Sequence, residues 1–367
     1  MPVEPASERI SFYRGLAARC GADQIACLKA DSCPPLLLQQ RLDAWRQAGN
    51  FGALPYLDNW SAILSDPFAA RPWARSLLVL SFAPQPNPAS PLWQLPSARP
   101  GRPAATIARY ALCVDYHRHG QAILEQLRQA IATIKGSDVQ FDSCVDTKPV
   151  MEKELALLAG LGVRGRNGLL RTPNRSCQAH LAVLFCSSDL PQHILPSPLD
   201  LHCGDCHACV SSCPNHAIGK NGILAVRKCR SWLANEKRGA LSWPEQLALG
   251  SSLFACSICT SCCPDAVNAG NINANAESGD VVADIANVGL WGDYAVDAEE
   301  LLRMPSAELS RIIAGTALDY VGATQLKRNA AAAFAVQATP QQRRDRQAEF
   351  AALSNSPTVT QTIANWD

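Results

Sequence analysis

Nine of the sixteen cysteines lie between Cys203 and Cys263. The run Cys203-x2-Cys206-x2-Cys209-x3-Cys213-Pro214 has the spacing of bacterial ferredoxins. In that spacing three thiolates wrap one cubane, and the fourth, just before proline, reaches a second. A further set, Cys256-x2-Cys259-x3-Cys263-Pro264, and the isolated Cys229 bring the number of well-placed thiolates to eight. Eight suffice for two [4Fe–4S] clusters. The arithmetic gives Cys203, Cys206, Cys209 and Cys263 to one cluster, and Cys213, Cys229, Cys256 and Cys259 to the other. Cys262 is left over and could take the place of Cys263; the repeated ligand-then-proline geometry favours Cys263. Paired C-x2-C motifs also bind zinc, but the four-cysteine run ending in proline fits a cubane better. Two clusters that exchange ligands between motifs lie close together and form an electron wire, and a wire needs something at its end.

The rest of the chain bounds what that end can be. At 367 residues it suits two or three domains, and a hydrophobic content of 47% is enough for a real core. With 33 basic and 32 acidic residues there is no global attraction to nucleic acid or to a membrane. There is no apolar run of membrane-spanning length. Glu4, Pro5 and Glu8 precede any apolar stretch, which is not the pattern of a signal peptide. The expectation is a cytoplasmic protein, where clustered cysteines are metal ligands rather than disulfides. Cys20, Cys27, Cys33, Cys144, Cys177 and Cys186 then read as small buried apolar residues.

Hydrophobic periodicity predicts helices near Ser7–Ala18, Pro35–Ala48, Gly120–Ile134 and Val150–Ala159. It predicts strands at Leu77–Phe82, Tyr110–Val114, Val139–Val145 and His180–Cys186. Seven prolines between Pro84 and Pro103 make that stretch an irregular loop. After Pro264 an Asn/Gly/Ala-rich loop, Asn268–Gly279, leads to helical patterns at Ala298–Met304, Ser306–Ile313, Ala323–Val336, Pro340–Leu353 and Pro357–Asn365. Short amphipathic helices in series suggest a helical-repeat tail. The fold class is therefore α+β with a ferredoxin-like insert. The expected units are residues 1–195, 196–268 and 269–367, the last a helical, HEAT-like domain.

Two strings mislead. Gly160-Leu161-Gly162-Val163-Arg164-Gly165 matches G-x-G-x-x-G, but it follows a helix, whereas the dinucleotide fingerprint follows a strand. It reads as a helix C-cap and a glycine turn. Asp115-Tyr116-His117-Arg118-His119-Gly120 matches the D-x-H-x-x-G of one corrinoid-binding class, but that class carries a downstream Gly-Gly and this chain has none.

The order of motifs resembles the epoxyqueuosine reductase family. The matching pieces are Arg109-Tyr110-Ala111, Asp115-Tyr116-His117, Val145-Asp146-Thr147, Ala159-Gly160-Leu161-Gly162 and both cysteine motifs. Lys228-Cys229-Arg230-Ser231, Gly315-Thr316-Ala317 and Lys327-Arg328-Asn329-Ala330 match as well. The resemblance implies a base-off cobalamin held by a nitroreductase-like N-terminal domain, clusters that reduce it, and reduction of epoxyqueuosine to queuosine in tRNA. It implies that Asp146 protonates the leaving oxygen and that Tyr110, Asp115 and His117 support the cofactor pocket. An aspartate ending an apolar strand can be partly buried and hold a proton near neutral pH; on local sequence alone Asp146 reads more readily as a cap or turn residue before the next helix.

The chain departs from the family pattern at Leu64, three residues before Pro67, at Cys113, at Lys148, at Cys177-Gln178-Ala179 and at Asn215-His216. These departures bear on the substrate more than on the cofactors. The expected partners are tRNA and a low-potential electron donor of flavodoxin or ferredoxin type, to a monomer with no membrane association. Lys327, Arg328, Arg343, Arg344 and Arg346 are candidate phosphate contacts; the alternative is a solvated helix face. Two other readings compete with the first. One is a corrinoid iron–sulfur reductase of a different substrate. The other is an electron-transfer protein with no substrate of its own, against which the long N-terminal region speaks.

Overall fold

The computed structural model describes residues 6–173, 175–196, 202–219, 222–264 and 293–366. The expected loop Asn268–Gly279 lies outside them. The N-terminal elements are α1 (Ala6–Cys20), β1 (Gln24–Lys29), α2 (Pro35–Gln47), α3 (Tyr56–Ser65), β2 (Ser76–Phe82), β3 (Ala104–Ala108), α4 (Tyr116–Lys135), β4 (Phe141–Cys144) and α5 (Glu152–Leu158). A short hairpin, β5 (Val163–Arg164) with β6 (Leu170–Arg171), then leads to β7 (His180–Cys186).

One antiparallel sheet runs in the order β1-β2-β7-β4. Its central strands are buried on both faces, which explains why β2 reads as an unbroken apolar run rather than an alternation. Leu78, Leu80, Phe82, Ala182 and Leu184 face α1 and α4; Leu77, Val79, Val183 and Phe185 face α5 and Phe68. Cys20, Cys27 and Cys186 pack into the first of these cores, Cys33 and Cys144 into the second. Helix α4 can cross the sheet this closely because residue 120 is glycine: a Cβ there would stand 2.9 Å from Phe82 Cζ and 3.0 Å from both Val145 methyls.

The stretch Tyr110–Val114 is not a strand. Arg109–Leu112 forms a 3-10 turn, and the strand lies earlier, at β3. The apolar run there is enclosed by surrounding elements, so its hydrophobicity carried no strand period. The partners of β3 come from far along the chain: β8 (Ser252–Phe254), in parallel, and β9 (Asp293–Asp297), antiparallel.

The cysteine block carries α6 (Ala208–Ser212), α7 (Arg230–Asn235), α8 (Trp243–Leu249) and α9 (Ile258–Ser261). The C-terminal helices are α10 (Ala298–Arg303), α11 (Ser306–Ile313), α12 (Gly322–Gln337), α13 (Pro340–Ala352) and α14 (Pro357–Ala364). They do not stack in series as a repeat would. Helix α12 is a central axle touched by α8, α10, α11, α14 and the β3-β8 edge. Trp366, Phe334 and Phe350 close this core, which also takes in Leu92, Leu95, Ala105, Ile107, Ala111 and Leu112. The cores thus cut across the boundary expected at residue 195.

Burial also revises the basic tail. The Lys327 ammonium donates to Leu302 O at 3.1 Å, and Arg328 is fully buried. Arg328 donates to the carbonyls of Leu233 (2.8 Å), Gly239 (3.1 Å) and Lys237. Arg343 bonds to the carbonyls of Ala335 and Ala338 and lies over Trp243, while Arg346 pairs with Glu299 and Glu349. Of the five proposed phosphate contacts, Arg344 alone keeps an exposed side chain without an acidic partner among the described residues. No helix among the described residues is long and apolar enough to cross a membrane.

Candidate active site and cluster-binding segment

Cys203, Cys206, Cys209 and Cys263 line one small cavity of about 200 Å³, capped by Arg166, Asn167 and Arg171. The Arg171 guanidinium donates to Cys203 Sγ at 3.3 Å, and Ser176 Oγ lies 3.7 Å from Cys263 Sγ. Cys213, Cys229, Cys256 and Cys259 form the second set, in which Cys229 is an electrostatic neighbour of the other three. Burial pushes the Cys256 thiol up to about 11, with Asp293 and Cys229 adding to it. Thiolates so crowded ionise readily only against a positive metal core. Cys262 sits between the sets, near both Cys209 and Cys259, but does not line the first cavity. No three His, Cys, Asp or Glu side chains among the described residues close on one point as a single ion requires. A multi-iron cluster holds its sulfur ligands farther apart, and the four thiols around the first cavity leave room between them for one.

The glycines of the false dinucleotide string build the support for this segment. Gly160 caps α5 with φ +74°, where an added Cβ would stand 2.0 Å from Leu195 O; at Gly162 it would meet Arg171 O at 2.1 Å. These are close backbone approaches at a helix C-cap, as expected, and they place β6 and Arg171 against Cys203.

A second cavity, of about 770 Å³, opens beside this segment and is bounded by all three parts of the chain. Helices α2 and α3 supply an apolar, aromatic wall that includes Leu42, Trp45, Leu57, Trp60 and Leu64. Asn235 and Phe254, close in sequence to Cys229 and Cys256, form another wall, and Ala317 and Tyr320 of the C-terminal region a third. Tyr110, Tyr116, His117, Asp146 and Glu152 meet in one corner.

Asp146 stands two residues past the end of β4, after the buried Val145, with φ +54°, a left-handed conformation that costs a non-glycine residue on the order of 1 kcal/mol. Two contacts hold it there. Tyr116 Oη donates to Asp146 Oδ2 at 2.8 Å, and the Asp146 N–H donates to Glu152 Oε1 at 2.8 Å. The far end of the loop is tied by Lys148, which pairs with Asp142; Asp142 also takes Arg71 Nε at 2.6 Å. The expected burial of Asp146 is not found: its side chain is exposed at the cavity mouth. The enclosed carboxyl is Glu152. It also accepts from Cys144 Sγ at 3.0 Å, and burial pushes it up to about 7, with the hydrogen bonds from Cys144 and the Asp146 amide opposing.

Tyr116 is fixed from behind by His180, whose ring stacks on it at 4.8 Å and 9°. Burial, reinforced by His119 and His117, pushes His180 down to about 4, so it is neutral at physiological pH. Burial raises the Tyr116 and Tyr110 phenols, Asp146 adding to both, so they stay protonated and can donate. Asp115 does not line the cavity. It caps α4, accepting from the amides of His117 (3.0 Å) and Arg118 (3.2 Å), and stands 3.2 Å from His117 Nδ1. Burial would raise the Asp115 carboxyl, but these hydrogen bonds outweigh it and hold it low; the same contact raises His117. The D-x-H-x-x-G string is thus a capped helix start that aims His117 into the cavity.

Sequence reading missed Tyr116, Glu152, Lys153 and His180. The one local signal was three charges, Glu152-Lys153-Glu154, opening the otherwise apolar α5 just after Asp146.

Residues 65–147 match the family model "Epoxyqueuosine reductase QueG, DUF1730", and residues 202–266 match the "4Fe-4S double cluster binding domain". The epoxyqueuosine reductase of Gloeobacter violaceus is 30% identical over 299 residues, covering 80% of this chain and 86% of that one. That of Aliivibrio fischeri is 29% identical over 245 residues, covering 66% of this chain and 64% of its relative. The structure of epoxyqueuosine reductase from Streptococcus thermophilus superposes with a TM-score of 0.73 at 19% identity, over 96% of this chain and 88% of that one. A crystal structure of epoxyqueuosine reductase with an epoxyqueuosine-modified tRNA stem loop superposes with a TM-score of 0.70 at 18% identity, over 98% and 97%. The mixed helix-and-sheet fold is therefore that of epoxyqueuosine reductases, and the cysteine segment is a double [4Fe–4S] cluster domain.

Proposed function

The chain belongs to the epoxyqueuosine reductase family, and we propose that it is an oxidoreductase converting epoxyqueuosine to queuosine in tRNA, with Asp146 as the proton donor. The carrying observation is the position of Asp146: strained, clamped by Tyr116 and Glu152, and presented at the mouth of a cavity whose next wall leads directly into the cluster-binding segment.

The net reaction adds two electrons and two protons to an epoxide and yields an alkene and water. Bound in their sites, the two clusters and a cobalamin supply the electrons. We assign the clusters Cys203, Cys206, Cys209 and Cys263, and Cys213, Cys229, Cys256 and Cys259. The 770 Å³ cavity fits a corrinoid by its aromatic wall, by the donors Tyr110 and His117, and by Arg41, whose buried Nε has no hydrogen-bond partner among the described residues. The N-terminal sheet and its flanking helices then form the nitroreductase-like cofactor domain, with Asp115 positioning His117.

The residues of the chain handle the protons. Tyr116 orients the Asp146 carboxyl, and His180, being neutral, supports Tyr116 without competing for the proton. Asp146 gives its proton to the oxygen as the C–O bond breaks, and Glu152, titrating near neutrality beside it, is placed to restore the supply. tRNA is the substrate, a low-potential flavodoxin- or ferredoxin-type protein is the donor, and the monomer acts in the cytoplasm.

Asp146→Asn keeps size and shape and removes the acid. The variant should retain both clusters and corrinoid binding, and should lose about 10²- to 10⁴-fold in turnover of epoxyqueuosine-containing tRNA. Equal turnover by the variant would move the acid elsewhere. Corrinoid binding without any turnover by the wild type would favour a reductase of another substrate.

A further inference from the structure

The turn between β6 and β7 presents three hydrogen-bond donors to one ring of thiols. Arg171 ends β6, and its guanidinium donates to Cys203 Sγ at 3.3 Å. Ser176 Oγ lies 3.7 Å from Cys263 Sγ, and the Cys177 thiol is a hydrogen-bonding neighbour of Cys263 as well. All three residues are buried. The turn is braced: Thr172 and Ser176 exchange backbone hydrogen bonds at 2.8 and 2.9 Å, and Ser176 takes a left-handed φ of +50°. A cluster-bound cysteine sulfur carries no proton, so towards Cys263 the Ser176 hydroxyl and the Cys177 thiol act as donors. The second ring is served differently. Cys213 accepts from the Ala217 amide at 3.3 Å, and Cys229 and Cys256 accept from the amides of Trp232, Ser231 and Ile258. These donors are neutral. Near Cys256 the Asp293 carboxyl and the Arg230 guanidinium act in opposite senses. In the first ring Cys206 is exposed, whereas Cys213, Cys229, Cys256 and Cys259 are each partly covered.

We propose that Arg171, Ser176 and Cys177 set the order of the two cluster potentials, holding the cluster of Cys203, Cys206, Cys209 and Cys263 above its partner. This rests on the ligand assignment proposed above. Reduction of a [4Fe–4S] cluster from the 2+ to the 1+ state adds one electron and no proton, and the low-potential flavodoxin- or ferredoxin-type carrier supplies that electron. The added negative charge spreads onto the cysteine sulfurs. Donors to those sulfurs therefore stabilise the reduced state more than the oxidised one and raise the potential, as does exposure to water. A charged donor acts about twice as strongly as a neutral one, and a guanidinium keeps its charge at any working pH. Both influences favour the first cluster. Epoxide reduction takes two electrons that arrive singly, so the first must wait for the second. The second ring adjoins the large cavity through Asn235 and Phe254, while the first encloses a separate cavity of its own. The order of potentials keeps the waiting electron on the cluster set back from the large cavity.

The test is an anaerobic redox titration of reconstituted full-length protein with titanium(III) citrate and mediator dyes, followed by electron paramagnetic resonance. Cys256→Ala, which retains the first cluster, assigns the two signals. The wild type should show two separate potentials, the first cluster's being the higher. Arg171→Met should lower the equilibrium constant for reducing that cluster at least about tenfold, which is about 59 mV for one electron, and should move the second cluster less than about twofold. Arg171→Lys, which returns a charged donor on a flexible stem, should recover about half of the shift. Ser176→Gly suits the positive φ, removes the hydroxyl and should lower the same constant about threefold. It carries the test alone if Arg171→Met loses iron. A first cluster below the second in the wild type, an unmoved first cluster in the variants, or an equal shift of both clusters overturns the proposal. Fewer than two reducible clusters in the wild type would refute the ligand assignment itself, and the order of potentials with it.

Discussion

Glu152→Gln offers a test of the acid corner that does not need turnover. The Glu152 carboxyl titrates near 7 in the folded protein against an ordinary value of 4.5. The folded state therefore binds more protons than the unfolded state between those values. For a carboxyl raised in this way, stability is fully present below the unfolded pKa and is lost as pH rises through the folded one. The cost of keeping Glu152 ionised is RT ln[(1 + 10^(pH−4.5))/(1 + 10^(pH−7))]. That is about 1 kcal/mol at pH 5 and about 3 kcal/mol at pH 8, an upper bound because part of the side chain reaches solvent. Glutamine keeps an oxygen to accept from the Asp146 amide and from Cys144, and it removes the charge. With about 2.1 cal/mol/K of unfolding entropy per residue, the variant should melt about 4 °C above the wild type at pH 8 and about 1 °C above it at pH 5. The assay is anaerobic differential scanning calorimetry of cluster-loaded protein at the two pH values, with iron content matched. A shift of equal size at both would show that Glu152 is not raised, and a destabilisation at pH 8 would show that its ionised form is the one the loop needs. Either result would refute its placement as a proton reservoir.

Two further outcomes follow from the same packing. Reconstituted protein should hold about eight iron atoms, and Cys206→Ala or Cys256→Ala should each leave about four, as two separate cubanes require; four or fewer in well-folded wild type, counted by iron assay, would rule out the two-cluster assignment. Arg328→Met should cost at least about 3 kcal/mol in anaerobic urea unfolding, because the carbonyls of Leu233, Lys237 and Gly239 lose their shared donor inside the core; a cost under about 1 kcal/mol would mean that the side chain is free to serve elsewhere.

Some of this protein is fixed by short stretches of its sequence. A cubane dictates the three-residue steps of Cys203, Cys206 and Cys209, so the cluster segment is legible from spacing alone. The helices at α1, α2, α4, α5 and the C-terminal five show in their periodicity or in their caps, and β2 and β7 in their apolar runs, because each is set by near neighbours in the chain. Asp146 was reachable only through a resemblance, since one aspartate after a strand is as good a cap as an acid.

Tertiary structure decided what depends on distant partners. The strand β3 exists because Ser252–Phe254 and Asp293–Asp297 come to its edges, and nothing near residue 104 announces them. Lys327 and Arg328 look like an RNA-binding pair in sequence, but α12 is the axle of the C-terminal core, and both turn inward to backbone carbonyls. The more enclosed acid is the part-buried Glu152 rather than the exposed Asp146, because the turn after β4 swings residue 146 outward while α5 points residue 152 back beneath it. Arg41, Lys153 and Arg164 line one cavity from positions that share no motif. Burial and charge pairing are properties of the space between elements, and a sequence states only the elements.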